Sequence, residues 1–170
     1  MTTAAPTSAP GSAAQEAART RHFLGLVSEQ SLYNLLERRI ELEVLPACRA
    51  YGVGVIPWSP LQGGLLGGIL RKERAGRSAS ERVQQRLAEH REAIERYESL
   101  CDGLGAAPAD VGLAWLLHQE GVTAPIVGPR TMEQLAGNLR ALDVELDADA
   151  LEELDRIFPG PGPAPEAYAW

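Results

Sequence analysis

Arg130, Gln134 and Asn138 are spaced i, i+4 and i+8, so a helix would carry all three on one face. They belong to the run Pro125-Ile-Val-Gly-Pro-Arg-Thr-Met-Glu-Gln-Leu-Ala-Gly-Asn138. This reads as a strand end, a Gly128-Pro129 turn and a helix capped by Thr131. A helix N-terminus carries partial positive charge and unpaired N–H groups, and arginine adds a planar fork of donors that suits phosphate. The plain alternative is a solvated helix face with a cap. A second run, Val55-Ile-Pro-Trp-Ser-Pro-Leu-Gln-Gly-Gly-Leu-Leu-Gly-Gly68, reads as a buried strand meeting an aromatic, Ser-Pro and a glycine-rich turn. Glycines admit close backbone approach, turn N–H groups hold phosphate oxygens, and an indole offers a flat face for stacking. Here the alternative is a core tryptophan at a strand end. Neither run has the G-x-x-x-x-G-K-[ST] or G-x-G-x-x-G pattern.

Other chemistry-bearing residues read as structural. His22, His90 and His118 lack a nucleophile or paired carboxylate at a triad or metal spacing, and Cys48 and Cys101 stand alone. No metal site is expected. Asp102, Asp110 and the Glu152-Glu153 pair read as helix surface or caps.

The elements that must hold these residues alternate. A helix is predicted from Ser12 to His22, a short strand from Phe23 to Ser28, and a helix from Ile40 to Tyr51 in which Pro46 implies a kink or late start. Gly52 to Trp58 reads as a strand, and Lys72 to Ser80 as a surface loop. A long helix from Glu81 to Leu104, capped by Ser80, carries Val83, Leu87, Ile94, Tyr97, Leu100 and Cys101 on or near one stripe. Pro108 opens the next helix, with Val111, Ala114, Trp115 and His118 as its apolar stripe; that stripe could half-bury His118. Val122 to Val127 is the last strand, and Asp147 caps a final helix. Strand–helix alternation argues for parallel βαβ units and an α/β fold.

Length and charge set further bounds. The chain has 170 residues and a net charge of −7, with 23 acidic and 16 basic residues, of which only Lys72 is a lysine. No basic face for nucleic acid is expected, and no run is apolar and long enough to span a membrane. Two isolated thiols fit a reducing, cytoplasmic setting. Residues 1–12 lack a signal-peptide pattern and read as a disordered leader, 13–158 as the folded domain, and 159–170 as an extended tail.

With Gln30-Ser-Leu-Tyr-Asn-Leu-Leu-Glu-Arg38, the two runs resemble the aldo-keto reductases, in family order. That family is a (β/α)8 barrel that passes hydride from NADPH to aldehydes and ketones. The resemblance implies about three parallel strands with surrounding helices, a partial barrel matching the sixth to eighth strands. A whole barrel needs roughly 250 residues. It also implies site roles. Arg130 takes the 2′-phosphate of NADPH, while Gln134 and Asn138 face the adenine beside Gly128. Trp58 stacks on the nicotinamide, and Ser59, Pro60, Leu61, Gly63 and Gly64 form the pyrophosphate loop. Gln30 bonds the carboxamide, or is simply a strand-end polar residue satisfied by backbone.

Family chemistry uses a tyrosine acid tuned by a lysine and an aspartate, with a histidine orienting the carbonyl, all from strands with no match here. No catalytic residue is therefore carried over. The chain reads as a member or truncated piece of an NADPH-dependent reductase, or alternatively as a non-catalytic remnant or NADP-binding module needing a partner chain. Its substrate, once completed, would be a small carbonyl compound. The open barrel edge invites self-association or a partner.

Overall fold

Two short strands, β1 (Ser28–Glu29) and β2 (Gly54–Val55), pair in parallel with Ser28 opposite Gly54 and Glu29 opposite Val55. The computed structural model describes residues 10–74 and 81–162. Residues 122–126 form a third, looser parallel segment. Val122 bridges Val55, and Thr123 N–H donates to the Val55 carbonyl at 2.8 Å.

All three predicted strands are therefore shorter than the sequence suggests. Ladder bonds to the chain after β1 continue past β2, from Ile56 N–H to the Glu29 carbonyl at 2.7 Å and from Trp58 N–H to the Ser31 carbonyl at 2.9 Å. Pro57 and Pro125 have no N–H, so the third segment meets this stretch again through the Ile126 N–H to Pro57 carbonyl bond of 2.7 Å. The stretch expected as the first strand, residues 23–28, is exposed and irregular up to Ser28. Its Leu26 N–H and carbonyl are both taken by the side-chain amide of Gln15, at 2.8 and 3.1 Å.

Helices follow the sequence more closely. Helix α1 (Pro10–Thr20) starts on a proline, two residues before the expected Ser12. A 3-10 turn at Arg39–Glu41 precedes α2 (Val44–Tyr51), where Pro46 sits in the first turn and sacrifices no helical hydrogen bond. Helix α3 (Ile69–Arg74) corrects the loop expected from Lys72; residues 75–80, with the proposed Ser80 cap, lie outside the described residues. Helix α4 (Glu81–Gly103), α5 (Pro108–His118), α6 (Met132–Arg140) and α7 (Ala148–Ile157) complete the chain. Asp147 caps α7 by accepting from Ala150 N–H at 2.8 Å.

The core lies on the helical side. Helix α5 is buried on nearly every face rather than along one stripe, because α4 and α6 both pack on it. Its Trp115 meets the Tyr33 ring at 5.3 Å between centroids, and Tyr97 meets Phe158 at 5.6 Å. Arg38 lies over Trp115 and ties the chain after β1 to α7. Its guanidinium pairs with Glu41 at 2.7 Å and Asp155 at 2.6 Å, and donates to the Phe158 carbonyl at 2.8 Å. Asp110, expected at the surface, is buried, with its charge met by Arg140 at 3.2 Å. His118 is exposed rather than half-buried, its Nδ1 2.9 Å from the Ala114 carbonyl. Among the described residues no single helix is long and apolar enough to cross a membrane.

Candidate functional site

The parallel pairing brings three chain segments to one end of the sheet. Trp58 N–H donates to the Ser31 carbonyl at 2.9 Å, which sets Gln30 and Ser31 beside the end of β2. The Ile126–Pro57 bond sets the Gly128-Pro129-Arg130 turn on the other side. The carboxyl end of parallel strands is where ligands sit in α/β sheets. Gln30 is exposed there, and the Trp58 indole is 43% exposed although its backbone is fixed in the pairing.

Beyond Trp58 the backbone turns left-handed repeatedly. Ser59 has φ 54°, Gln62 49°, Gly63 66° and Gly64 98°. For a residue with a Cβ this region costs on the order of 1–2 kcal/mol. The turn is closed by Gln62 N–H on the Ser59 carbonyl and Gly64 N–H on the Leu61 carbonyl, both at 2.9 Å. Pro60 is buried. The Leu61 side chain is anchored against α5: a Cβ on Gly112 would come within 3.2 Å of it. Leu61 thus offers the site only its backbone. Gly63 and Gly64 are open, since a Cβ on either would meet nothing within 4 Å. No side chain crowds the loop there, which fits close approach of a phosphate, although the Gly64 N–H is already used inside the turn.

Helix α6 presents the second donor set. Thr131 Oγ1 accepts from Gln134 N–H at 3.2 Å, and the Gln134 amide oxygen accepts from Arg130 N–H at 2.7 Å. The cap thus holds the Gln134 amide oxygen on the Arg130 backbone. Asn138 is half-buried and Gly128 exposed. Arg130 is exposed, and its guanidinium pairs with no carboxylate among the described residues. An unengaged cation at a helix N-terminus suits a phosphate monoester.

The buried tyrosines are unsuited to acid catalysis. Burial, then the nearby Glu41 carboxylate, pushes the Tyr33 phenol well above its ordinary value, and its hydroxyl donates to Glu41 at 2.7 Å. Tyr97 is pushed up by burial and donates to the Pro108 carbonyl. A general acid for carbonyl reduction needs the opposite shift. Lys72 lies on α3, not on a strand. Among the described residues no three His, Cys, Asp or Glu side chains gather as metal ligands.

Sequence reasoning passed over Asn34 and Gln62. Both are buried, and the Asn34 Nδ2 donates to the Ser59 carbonyl at 3.0 Å. The available signal was an asparagine set between apolar residues, at Tyr33-Asn-Leu35.

The model describing the aldo/keto reductase family matches residues 7–158. The chain belongs to the aldo/keto reductase family. Among curated proteins, it is 51% identical over 158 residues to the uncharacterized oxidoreductase YrpG of Bacillus subtilis, which covers 92% of this chain and 48% of the relative. It is 33% identical to probable aldo-keto reductase 1 of Glycine max, over 79% of this chain and 40% of that protein. It is 31% identical to norsolorinic acid reductase B of Dothistroma septosporum, over 87% of this chain and 38% of that protein. The chain spans less than half the length of these aldo/keto reductase relatives. Its small parallel sheet and surrounding helices are of the α/β class that the family requires.

Proposed function

We propose that this chain is the NADPH-binding portion of an aldo/keto reductase, corresponding to the last three strand units of a (β/α)8 barrel, and that it acts in the cytoplasm. The observation that carries the reading is the meeting of Gln30, Trp58 and the Arg130 helix N-terminus at one end of the sheet, with the open Gly63–Gly64 backbone beside them. In this reading Arg130 holds the 2′-phosphate, the Ser59–Gly64 loop holds the pyrophosphate, and Trp58 covers one face of the nicotinamide. Gln30 fixes the carboxamide, and Asn138 flanks the adenine. Gln134 reaches the adenine only by leaving its cap. When bound, the cofactor supplies hydride to a small aldehyde or ketone. This chain orients it and excludes water from one side. The proton for the carbonyl oxygen comes from residues outside the chain, so the chain alone is inactive.

Fluorescence titration with NADPH and NADH tests this. NADPH should bind more tightly, and Arg130→Ala should weaken NADPH by roughly ten- to a hundredfold, the worth of one charge-assisted contact, while sparing NADH. Equal affinities, untouched by the substitution, would remove the 2′-phosphate role.

The exposed segment before β1 favours a second reading, an NADP-binding module that works with a partner chain. Size-exclusion chromatography separates the two readings. A monodisperse monomer with a sharp thermal transition counts against the partner.

A further inference from the structure

The loop from Ser59 to Gly64 holds a shape its own residues disfavour. Two of its left-handed positions, Ser59 and Gln62, carry side chains, and the Gln62 side-chain Nε2 is buried with no hydrogen-bond partner among the described residues. Something outside the loop must fix it, and Asn34 is placed to do so. It is fully buried, and its every polar group is engaged. The backbone N–H and carbonyl pair with Glu37 at 3.2 and 3.0 Å, closing a turn. The Oδ1 accepts from Leu36 N–H at 3.0 Å, which fixes the orientation of the amide. The Nδ2 then points across to the loop and donates both to the Ser59 carbonyl, at 3.0 Å, and to Gln62 Oε1, at 3.4 Å. The two residues it grips are the two non-glycine residues of the loop with left-handed backbone.

We propose that Asn34 is the positioning residue of this loop: it holds Ser59 and Gln62 in the left-handed shape that leaves the Gly63–Gly64 backbone open to phosphate. Its part in ligand binding rests on the dinucleotide reading above, but its hold on the loop does not. The Ser59 carbonyl is the hinge of the arrangement. It accepts from Gln62 N–H inside the loop and from Asn34 outside it, so losing Asn34 leaves the Ser59 carbonyl that single bond, with Gln62 further held by a long 3.4 Å bond from Leu65 N–H.

Amide hydrogen exchange without ligand is the first test, on the full chain. Asn34→Asp keeps an acceptor for Leu36 N–H but replaces the donor facing Ser59 with an oxygen. The amides of Gln62 and Gly64 should exchange about tenfold faster or more, with α4 and α5 unchanged. Adding Ser59→Gly, which removes the side-chain penalty of the left-handed position, should restore most of the protection. Should the carboxylate unfold the chain, Asn34→Ser takes its place, being neutral and too short to reach Ser59. Unchanged loop exchange, a uniform rise across the molecule, or no rescue by glycine would each overturn the proposal. NADPH titration of the same variants adds a second readout. Affinity should fall about tenfold with Asn34→Asp and recover with Ser59→Gly, and affinity that ignores both changes would overturn the ligand role. A wild-type chain that binds no NADPH defeats the cofactor reading, and loop exchange still decides the hold of Asn34.

Discussion

The two flanks of the small sheet differ in what finishes them. On the helical flank, α5 is enclosed, the Trp115 and Tyr33 rings meet at a tilt of 58°, and Arg38 fastens the chain after β1 to α7. On the strand flank, Phe23 is 70% and Leu24 84% exposed, with Leu26 and Val27 also open. The helical flank buries most of its apolar groups, with Met132, Leu139 and Leu142 on and after α6 left exposed; the strand flank displays its apolar groups in one continuous run. In the partner reading proposed above, this apolar display beside the sheet edge is the surface that would be covered. Folding stability should therefore reside in the helical flank, and association in the strand flank.

The harshest test of that division is Trp115→Ala. It deletes a ring that is almost wholly buried, and with it the contacts to Tyr33 and Arg38. A loss of about 3–5 kcal/mol is expected, enough to abolish a cooperative transition in chemical denaturation. Less than about 1 kcal/mol would mean that the core is not where it appears on the helical side. Next comes Arg38→Met, which keeps bulk over Trp115 but leaves Glu41 without its cation, though still bonded by the Tyr33 hydroxyl, and takes the donor from the Phe158 carbonyl. Because Asp155 is largely exposed, about 2–3 kcal/mol is expected rather than the full cost of a buried pair.

The strand flank should respond in the opposite way. Leu24→Asp should leave the unfolding free energy within about 0.5 kcal/mol while reducing self-association in sedimentation or light scattering. A destabilisation comparable to that of Arg38→Met would erase the contrast between the flanks.

The smallest expected effect is a dependence on alkaline pH. Burial pushes the Cys101 thiol from 9.0 up to about 12, and raises the Tyr33 and Tyr97 phenols as well. Each keeps its proton longer when folded than when unfolded. The unfolded chain thus binds fewer protons above pH 9, and stability falls as pH rises from there toward 12. Thermal midpoints should be flat from about pH 6 to 8 as far as these groups are concerned, and decline above 9. Cys101 should resist thiol reagents in the folded chain at about pH 8. Labelling there as fast as in denaturant would show the helical flank opening.

The helices were legible because their ends are written in short-range chemistry. Thr131 and Asp147 cap as their positions suggest, and Pro108 begins α5. Strands were overread because apolar β-branched runs say nothing about the neighbour. Pro57 and Pro125 interrupt the ladder to the third segment, and ahead of β1 it is Val27 that first meets β2, its carbonyl accepting from Gly54 N–H at 3.0 Å. Asp110 misled because its partner, Arg140, sits on another helix thirty positions away. The proposed site was suggested as segments, from the order of Gln30, Trp58 and Arg130. Their support was not: Asn34 acts across to Ser59, and no local pattern announces a hydrogen bond between residues brought together only by the fold.

Gln15 gives the open edge a further property. Its amide meets the Leu26 N–H and carbonyl with a carbonyl and an N–H of its own, the same pair of groups that a neighbouring strand would present. An incoming strand must evict this stand-in, exchanging two hydrogen bonds for two. Completion of the sheet at Leu26 is then a displacement reaction rather than a docking. Its hydrogen-bond balance is near zero, and its rate is governed by how often α1 releases its grip.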